Sequence, residues 1–469
     1  MLSEGLRESI ARHSDAPAML SEDGQTISYA RMGDWITSFS ARLAQLGVGK
    51  GHRVVPLVDN TALRICLWFA IWRRGGDVVM VERVESLIDA DVEYDHVIAF
   101  ADQPKIGDAN WHVLDDSWRG LTVAPDDAPI AGNMVFGTSG STGRPKFMSV
   151  SAEVWYAMVK MFNAAALEPA GHTLITFPTS STGHFFSAMR TFDMGYGLTF
   201  WTGDAKATLS AAKDFGVTIF AGSPRELDRV VEAVDAGVDA PDFAFAAFTG
   251  GLLSPAALER AYKVLGAPIS NTLGASECGA IAAGVYQGQD VAPGWTGKTM
   301  PHVTSELRDQ GGYDDLAYGA GKLAVKVAQP LRVQGYFGGA SPYDDDGWFE
   351  TGDIVTLDAD KTLHLIGRED FLINVSGTKY APERLEAALS RAPEITKVAV
   401  AGLTIDGAAQ VVALVVPLMA GTDISMRVTR VLEEALGRTG IVQCRMASSL
   451  PELPTGKIDR AAVVRLFQA

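Results

Sequence analysis

The 469-residue sequence predicts an α/β fold in which parallel sheets alternate with helices, followed by a smaller α+β unit at its C-terminal end. Three observations lead there. Amphipathic stretches alternate with short apolar runs as far as Phe248, and buried runs of this kind pair in parallel sheets. Beyond about residue 290 the pattern changes to shorter strands and Gly/Asp-rich turns. A second break, at Gly367-Arg368-Glu369-Asp370, precedes about a hundred residues with a different rhythm. Single cores rarely grow past ~250–300 residues, so the length calls for two or three packed units.

The elements follow in order. Ala30 to Leu46 spaces Met32, Trp35, Ile36, Phe39, Leu43 and Leu46 three and four apart, which predicts a helix, and Arg53 to Val58 reads as a strand. A helix over Ala62–Trp72 leads through Gly75-Gly76 into a strand over Asp77–Val81. Strands follow at 173–177, 198–201, 217–220 and 243–248. Helices over Pro224–Val234 and Pro255–Val264 each open with Ser-Pro, a cap residue before a proline at the first helical position. In the tail, 382–389 and 424–436 read as helices, and 398–401 and 411–416 as strands.

Bulk properties narrow the class. Forty basic against 56 acidic residues leave a net charge of −16, which favours neither nucleic acid nor an anionic membrane as partner. An anionic substrate then needs a local cationic pocket. Cys66, Cys278 and Cys444 lie far apart without ligand spacing, so no zinc site or disulfide framework is expected. The N-terminus mixes charges where a signal peptide has an apolar core, and the apolar run near Leu67–Ile71 is too short to span a bilayer. The expectation is a cytoplasmic protein.

Five clusters carry chemistry. Thr138-Ser139-Gly140-Ser141-Thr142-Gly143-Arg144-Pro145-Lys146 packs hydroxyls, glycines and cations after the apolar Met134-Val135-Phe136, as a loop that holds phosphate oxygens must. It is no Walker loop, since Arg144-Pro145 follows Gly143 and Phe147 follows Lys146. Thr249-Gly250-Gly251 ends a strand and can lay bare backbone against a flat ring. Leu273-Gly274-Ala275-Ser276-Glu277 sets a hydroxyl and a carboxylate side by side, suited to a phosphate and its Mg²⁺. Asp353, in Trp348-Phe349-Glu350-Thr351-Gly352-Asp353, can grip two ribose hydroxyls. Leu453-Pro454-Thr455-Gly456-Lys457 presents a lysine on a Gly/Pro-shaped loop. Each alone is compatible with an ordinary turn; their order together is not.

The set resembles the acyl-adenylate-forming superfamily of acyl-CoA synthetases, peptide-synthetase adenylation domains and luciferases, from roughly residue 26 to residue 460. The resemblance implies a large N-terminal domain, 1–369, of parallel-sheet α/β subdomains with a small β-barrel-like subdomain. A mobile C-terminal domain, 370–469, carries the catalytic lysine. It implies ATP and Mg²⁺, with Thr138, Ser139, Gly140, Ser141, Thr142, Gly143 and Lys146 on phosphate and Glu277 on the metal. Gly250, Gly251, Leu273, Gly274, Ser276, Asp353 and Arg368 would surround the rest of the nucleotide, Asp370 would be the hinge, and Lys457 and Glu277 would serve catalysis. Two departures stand out: Leu273 replaces a commonly aromatic neighbour of adenine, and the terminal motif is shortened.

The resemblance further implies a small-molecule carboxylic acid, activated as its adenylate with release of pyrophosphate. The expected pocket comprises His184, Phe185, Gly222, Gly251 and Ala280, with His184 equally suited to be a packed core histidine, a pocket wall or a neighbour of the carboxylate. The Phe-Asp pair of amino-acid activators has only Phe192-Asp193 as a counterpart, nine residues beyond His184 rather than at the usual place, so an aryl or acyl acid is expected. The acceptor stays open between CoA, the arm of an acyl carrier protein and another nucleophile. The alternatives are an α-amino-acid activator, a nucleotide-binding relative without turnover, and a kinase-like or hydrolytic NTPase using the Gly-rich loop.

Overall fold

The computed structural model describes residues 2–121, 132–138, 146–165, 168–310, 312–313, 316–328, 331–337, 341–389, 392–405, 408–453 and 457–468. Among these the strands form a thirteen-stranded sheet, a seven-stranded sheet, a three-stranded sheet and a two-stranded ribbon. In the seven-stranded sheet Arg53–Leu57 lies parallel to Asp77–Met80 and His96–Ala99, and Asp77–Met80 lies parallel to Asn133–Thr138. In the larger sheet Pro17–Leu20, Leu198–Phe200, Thr173–Ile175, Ile219–Gly222, Phe245–Thr249 and Ile269–Ala275 succeed one another in parallel. The expected α/β fold is the one formed.

Past Ile269–Ala275 the same sheet continues antiparallel through Gly279–Tyr286, Trp295–Thr299, Thr362–Arg368, Trp348–Leu357, Gly321–Val327 and Val303–Arg308. The short strands beyond residue 290 are thus hydrogen-bonded onto the parallel strands. Close strand contact there requires bare backbone: at Gly297, with φ +82°, a Cβ would fall 2.2 Å from the backbone of Ala283.

The helix Thr61–Arg73 lies at the centre of the core, with every residue from Thr61 to Trp72 buried. A helix apolar on all sides needs cover on all sides. Its one buried charge is answered: Arg64 Nε donates to Val58 O at 2.8 Å, and the guanidinium pairs with Glu82 at 3.4 Å. Trp68 and Trp72 of this helix meet Phe185 at centroid distances of 5.5 Å each, and Phe136 and Trp155 close the cluster at 5.9 and 5.2 Å. Phe185 has no exposed surface. Its ring therefore packs the core, although the sequence placed it in the acid pocket.

From Ile373 onward the chain builds its own interior. Ile373, Leu385, Val400, Val411 and Leu432 form one cluster, and Ala399, Leu403, Val412, Val463 and Phe467 form another. Neighbouring residues Ala399 and Val400, or Val411 and Val412, fall in different clusters because successive side chains leave a strand on opposite faces. The tail meets the body through Lys379, whose Nζ donates to Gly312 O at 2.9 Å and stands 4.0 Å from the centre of the Tyr313 ring.

Truncating Phe185 to Ala should lower the unfolding free energy by about 3–5 kcal/mol. A urea titration checks this; a loss below 1 kcal/mol would place the ring at an open pocket instead.

Candidate active site

Glu277 sits at the tip of a hairpin between Ile269–Ala275 and Gly279–Tyr286. The turn is tight: Cys278 N donates to Ala275 O at 3.1 Å, Gly279 has φ +71°, and a Cβ on Gly274 would lie 2.7 Å from Gly279 O. The carboxylate is buried, and Tyr336 Oη donates to its Oε1 at 2.6 Å. Tyr343 Oη donates to the Glu277 carbonyl at 2.5 Å. Ser276 Oγ lies 3.4 Å from Thr182 Oγ1, at the start of the helix Thr182–Asp193. Residues Tyr336, Tyr343 and Thr182 carried no site role in the sequence reading.

Lys146 opens the strand that follows the loop expected to hold phosphate and stands 5.5 Å from the Tyr336 ring centre. Thr138 ends the strand before the loop and is paired with Lys146 in antiparallel register. Ser139, Gly140, Ser141, Thr142 and Gly143 lie outside the described residues.

Asp353 and Arg368 face each other across adjoining strands, with Arg368 Nη1 3.3 Å from Asp353 Oδ1. Asp353 is buried, and that burial raises its carboxyl pKa against the pull of Arg368, Thr351 and Lys457. Gly352 has φ +75°, and a Cβ there would come within 2.9 Å of Arg368 Nη2. Arg368 also pairs with Asp370 at 3.8 Å.

Lys457 comes to this place from the tail. Removal from water lowers its pKa, Arg368 lowers it further by like charge, and Asp353 and Glu277 pull it back up. The four groups thus act on one another although they lie on separate segments. Pro454, Thr455 and Gly456 of the same motif are outside the described residues.

The remaining expected pocket residues cluster around the ends of the parallel strands. A Cβ on Gly251 would lie 2.9 Å from Pro224, and one on Gly222 would lie 2.2 Å from Thr176 Oγ1. Gly250 adopts φ +89°, and Leu273 is buried beside the hairpin bulge at Gly274. Ala280 is half-buried on the returning strand. His184 is 1% exposed, stacked at 12° on Phe200 and edge-on to Trp68. Its Nδ1 is 3.0 Å from Phe177 O, which can only accept, so Nδ1 carries the proton. Nε2 then offers a lone pair and has no hydrogen-bond partner among the described residues.

The chemistry on offer is the handling of a nucleotide. Glu277 supplies one hard oxygen donor, and no group of three or more His, Cys, Asp or Glu among the described residues can hold a metal alone. A single carboxylate donor suits Mg²⁺, which takes few protein ligands and completes its shell with phosphate and water. Asp353 is buried and acceptor-rich, as a ribose diol requires. Fold and site together define a nucleotide-binding α/β enzyme.

The chain matches the family described as AMP-binding enzyme over residues 6–87 and 91–337, and it belongs to that family. It is 26% identical to indoleacetate–CoA ligase of Aromatoleum aromaticum, over 94% of this chain and 93% of that protein. To 3-hydroxybenzoate–CoA ligase of an Aromatoleum species it is 24% identical, over 97% and 94%. O-succinylbenzoate coenzyme A synthetase of Bacillus subtilis, solved with AMP, has the same fold, with a TM-score of 0.82, 19% identity and 97% of each chain covered. No helix among the described residues is long and apolar enough to cross a membrane.

Burial pushes the His184 pKa down to about 4 from an ordinary 6.5. Between those values the unfolded chain takes up a proton that the folded chain refuses. Stability is therefore full above pH 6.5 and falls as pH drops toward 4. The stability difference between wild type and His184→Gln should change by up to about 3 kcal/mol across this window. Urea titrations at each pH measure it, and a difference that does not vary with pH would refute the buried neutral ring.

Proposed function

We propose that the protein activates a small carboxylic acid as its acyl-adenylate, releasing pyrophosphate, and then passes the acyl group to a thiol, with CoA favoured. The observation that carries this reading is buried Asp353 paired with Arg368 at 3.3 Å and Glu277 held at 2.6 Å by Tyr336, with Lys457 in the electrostatic reach of all three charged groups. A carboxylate is a poor electrophile until its oxygen is made a leaving group, and joining it to AMP does so. In this reading Asp353 holds the ribose, and Lys146 with the loop before it holds the departing phosphates. The ammonium of Lys457 bridges the acid and the α-phosphate, where charge builds in the in-line displacement. Glu277 would hold Mg²⁺, whose chemistry there would be to neutralise charge on the phosphate oxygens.

An aryl or acyl acid is favoured over an α-amino acid. Asp193, the one counterpart of an ammonium-binding aspartate, already pairs with Lys160 at 2.6 Å and accepts from Asn163 at 3.0 Å. The aromatic acids named in the two curated relatives point the same way. Residues 1–369 then act as the body, 370–469 as the moving tail, and Asp370 as the hinge. A carrier-protein arm is the second acceptor to test.

With ATP and Mg²⁺, a panel holding indole-3-acetate, 3-hydroxybenzoate, fatty acids and amino acids should give AMP and pyrophosphate for one class, and a thioester when CoA is added. ADP and phosphate would instead mark a hydrolytic NTPase. Lys457→Ala should slow pyrophosphate release by about 10²–10³-fold while leaving thioester formation from supplied acyl-adenylate intact. Equal loss in both half-reactions would remove Lys457 from its assigned role.

A further inference from the structure

The hairpin that carries Lys457 is tied to the body by charges the reaction does not use. Leu453 N donates to Lys457 O at 2.7 Å and Asp459 N donates to Pro451 O at 2.9 Å, while Glu452 pairs with Ile458 across the hairpin. Glu452 therefore stands one residue from a backbone contact with Lys457, and a displacement of one moves the other. Its carboxylate reaches in two directions. Oε2 lies 3.0 Å from Arg225 Nη1, on the helix Pro224–Asp235 of the body, and Oε1 lies 3.8 Å from Lys397 Nζ in the tail. Lys397 is within Coulombic reach of Asp228, one turn along from Arg225 on the same helix face. Charges of alternating sign thus run across the boundary, and the Arg225 and Glu452 side chains are only 31% and 22% exposed.

We propose that the Arg225–Glu452 pair is a latch that positions the Lys457 hairpin for acid activation and breaks when the tail turns for thiol attack. The inference rests on the adenylate-forming reading and adds two positioning residues to it. Neither residue touches the reacting atoms; each acts through the hairpin. A partly exposed ion pair shifts a two-state population by about two- to fivefold. That bias favours one arrangement without trapping it.

The test uses charge exchange in the full-length chain: wild type, Arg225→Glu, Glu452→Arg and the double exchange. Spin labels go on Lys206→Cys in the body and Met426→Cys in the tail, both exposed positions, in a Cys444→Ser background that leaves Cys66 and Cys278 buried. Electron–electron distance measurements are made with Mg²⁺ and an ATP analogue that cannot be cleaved between its α- and β-phosphates. Each single reversal should deplete the closed distance population by at least about twofold, and the double exchange should recover part of it, since Lys397 and Asp228 then face like charges. First-turnover pyrophosphate release should fall and recover in step, while thioester formation from supplied acyl-adenylate does not slow. Unchanged distances in both single variants, or a double exchange no better than the singles, would overturn the latch. If wild type released no pyrophosphate with any acid, the functional reading would fall while the distances still decided the latch.

Discussion

On the adenylate-forming reading, a chain of net charge −16 has to hold a polyanion, and the groups proposed for it are two cations, Arg368 and Lys457, set among carboxylates. Burial lowers the Lys457 pKa, like-charge repulsion from Arg368 lowers it further, and Asp353 and Glu277 offset part of the effect. Such an arrangement is poised rather than relaxed. A phosphate entering among these groups relieves the like-charge pair and repays part of the desolvation that already perturbs both Lys457 and Asp353. The strain in the field is thus aimed at the ligand.

The scaffold holds the two sides of this field with different stiffness. Asp353 and Arg368 are opposed residues in a ladder that continues into the parallel sheet, and Glu277 is clamped at both its carboxylate and its carbonyl by Tyr336 and Tyr343. Lys457 instead rides on a unit with its own two apolar clusters, which meets the body through charged contacts such as Lys379 with Tyr313 and Glu452 with Arg225, and through Ala381 and Leu372, packed in one apolar cluster with Tyr313, Ile354 and Ile366. On the proposed reading of that unit as a moving tail, it would keep its own core when it turns.

Much of this was legible in the residues. Helices with a clear apolar stripe or a Ser-Pro start, such as Tyr29–Gln45, Pro224–Asp235 and Pro255–Leu265, ran close to their expected limits. The helices Ala152–Ala164 and Thr182–Asp193 were missed. In the second, seven of twelve residues are buried, so no polar face marks the period, although Ser181 caps it by accepting from His184 N. Read without the helix, His184 and Phe185 looked like two walls of one pocket. Adjacent helical side chains diverge by about 100°, and Phe185 turned into the aromatic core.

The sequence by itself determined the alternation of strands and helices and set out the residues proposed to meet phosphate, ribose and metal, because periodicity, glycine placement and charge are local properties. Only the tertiary structure decided which of those residues share a field. Tyr336 reaches Glu277 across 59 positions, and Arg225 meets Glu452 across the boundary between body and tail. Such contacts depend on how sheets stack and where the tail comes to rest, and no local pattern encodes a distance between segments that meet only after folding.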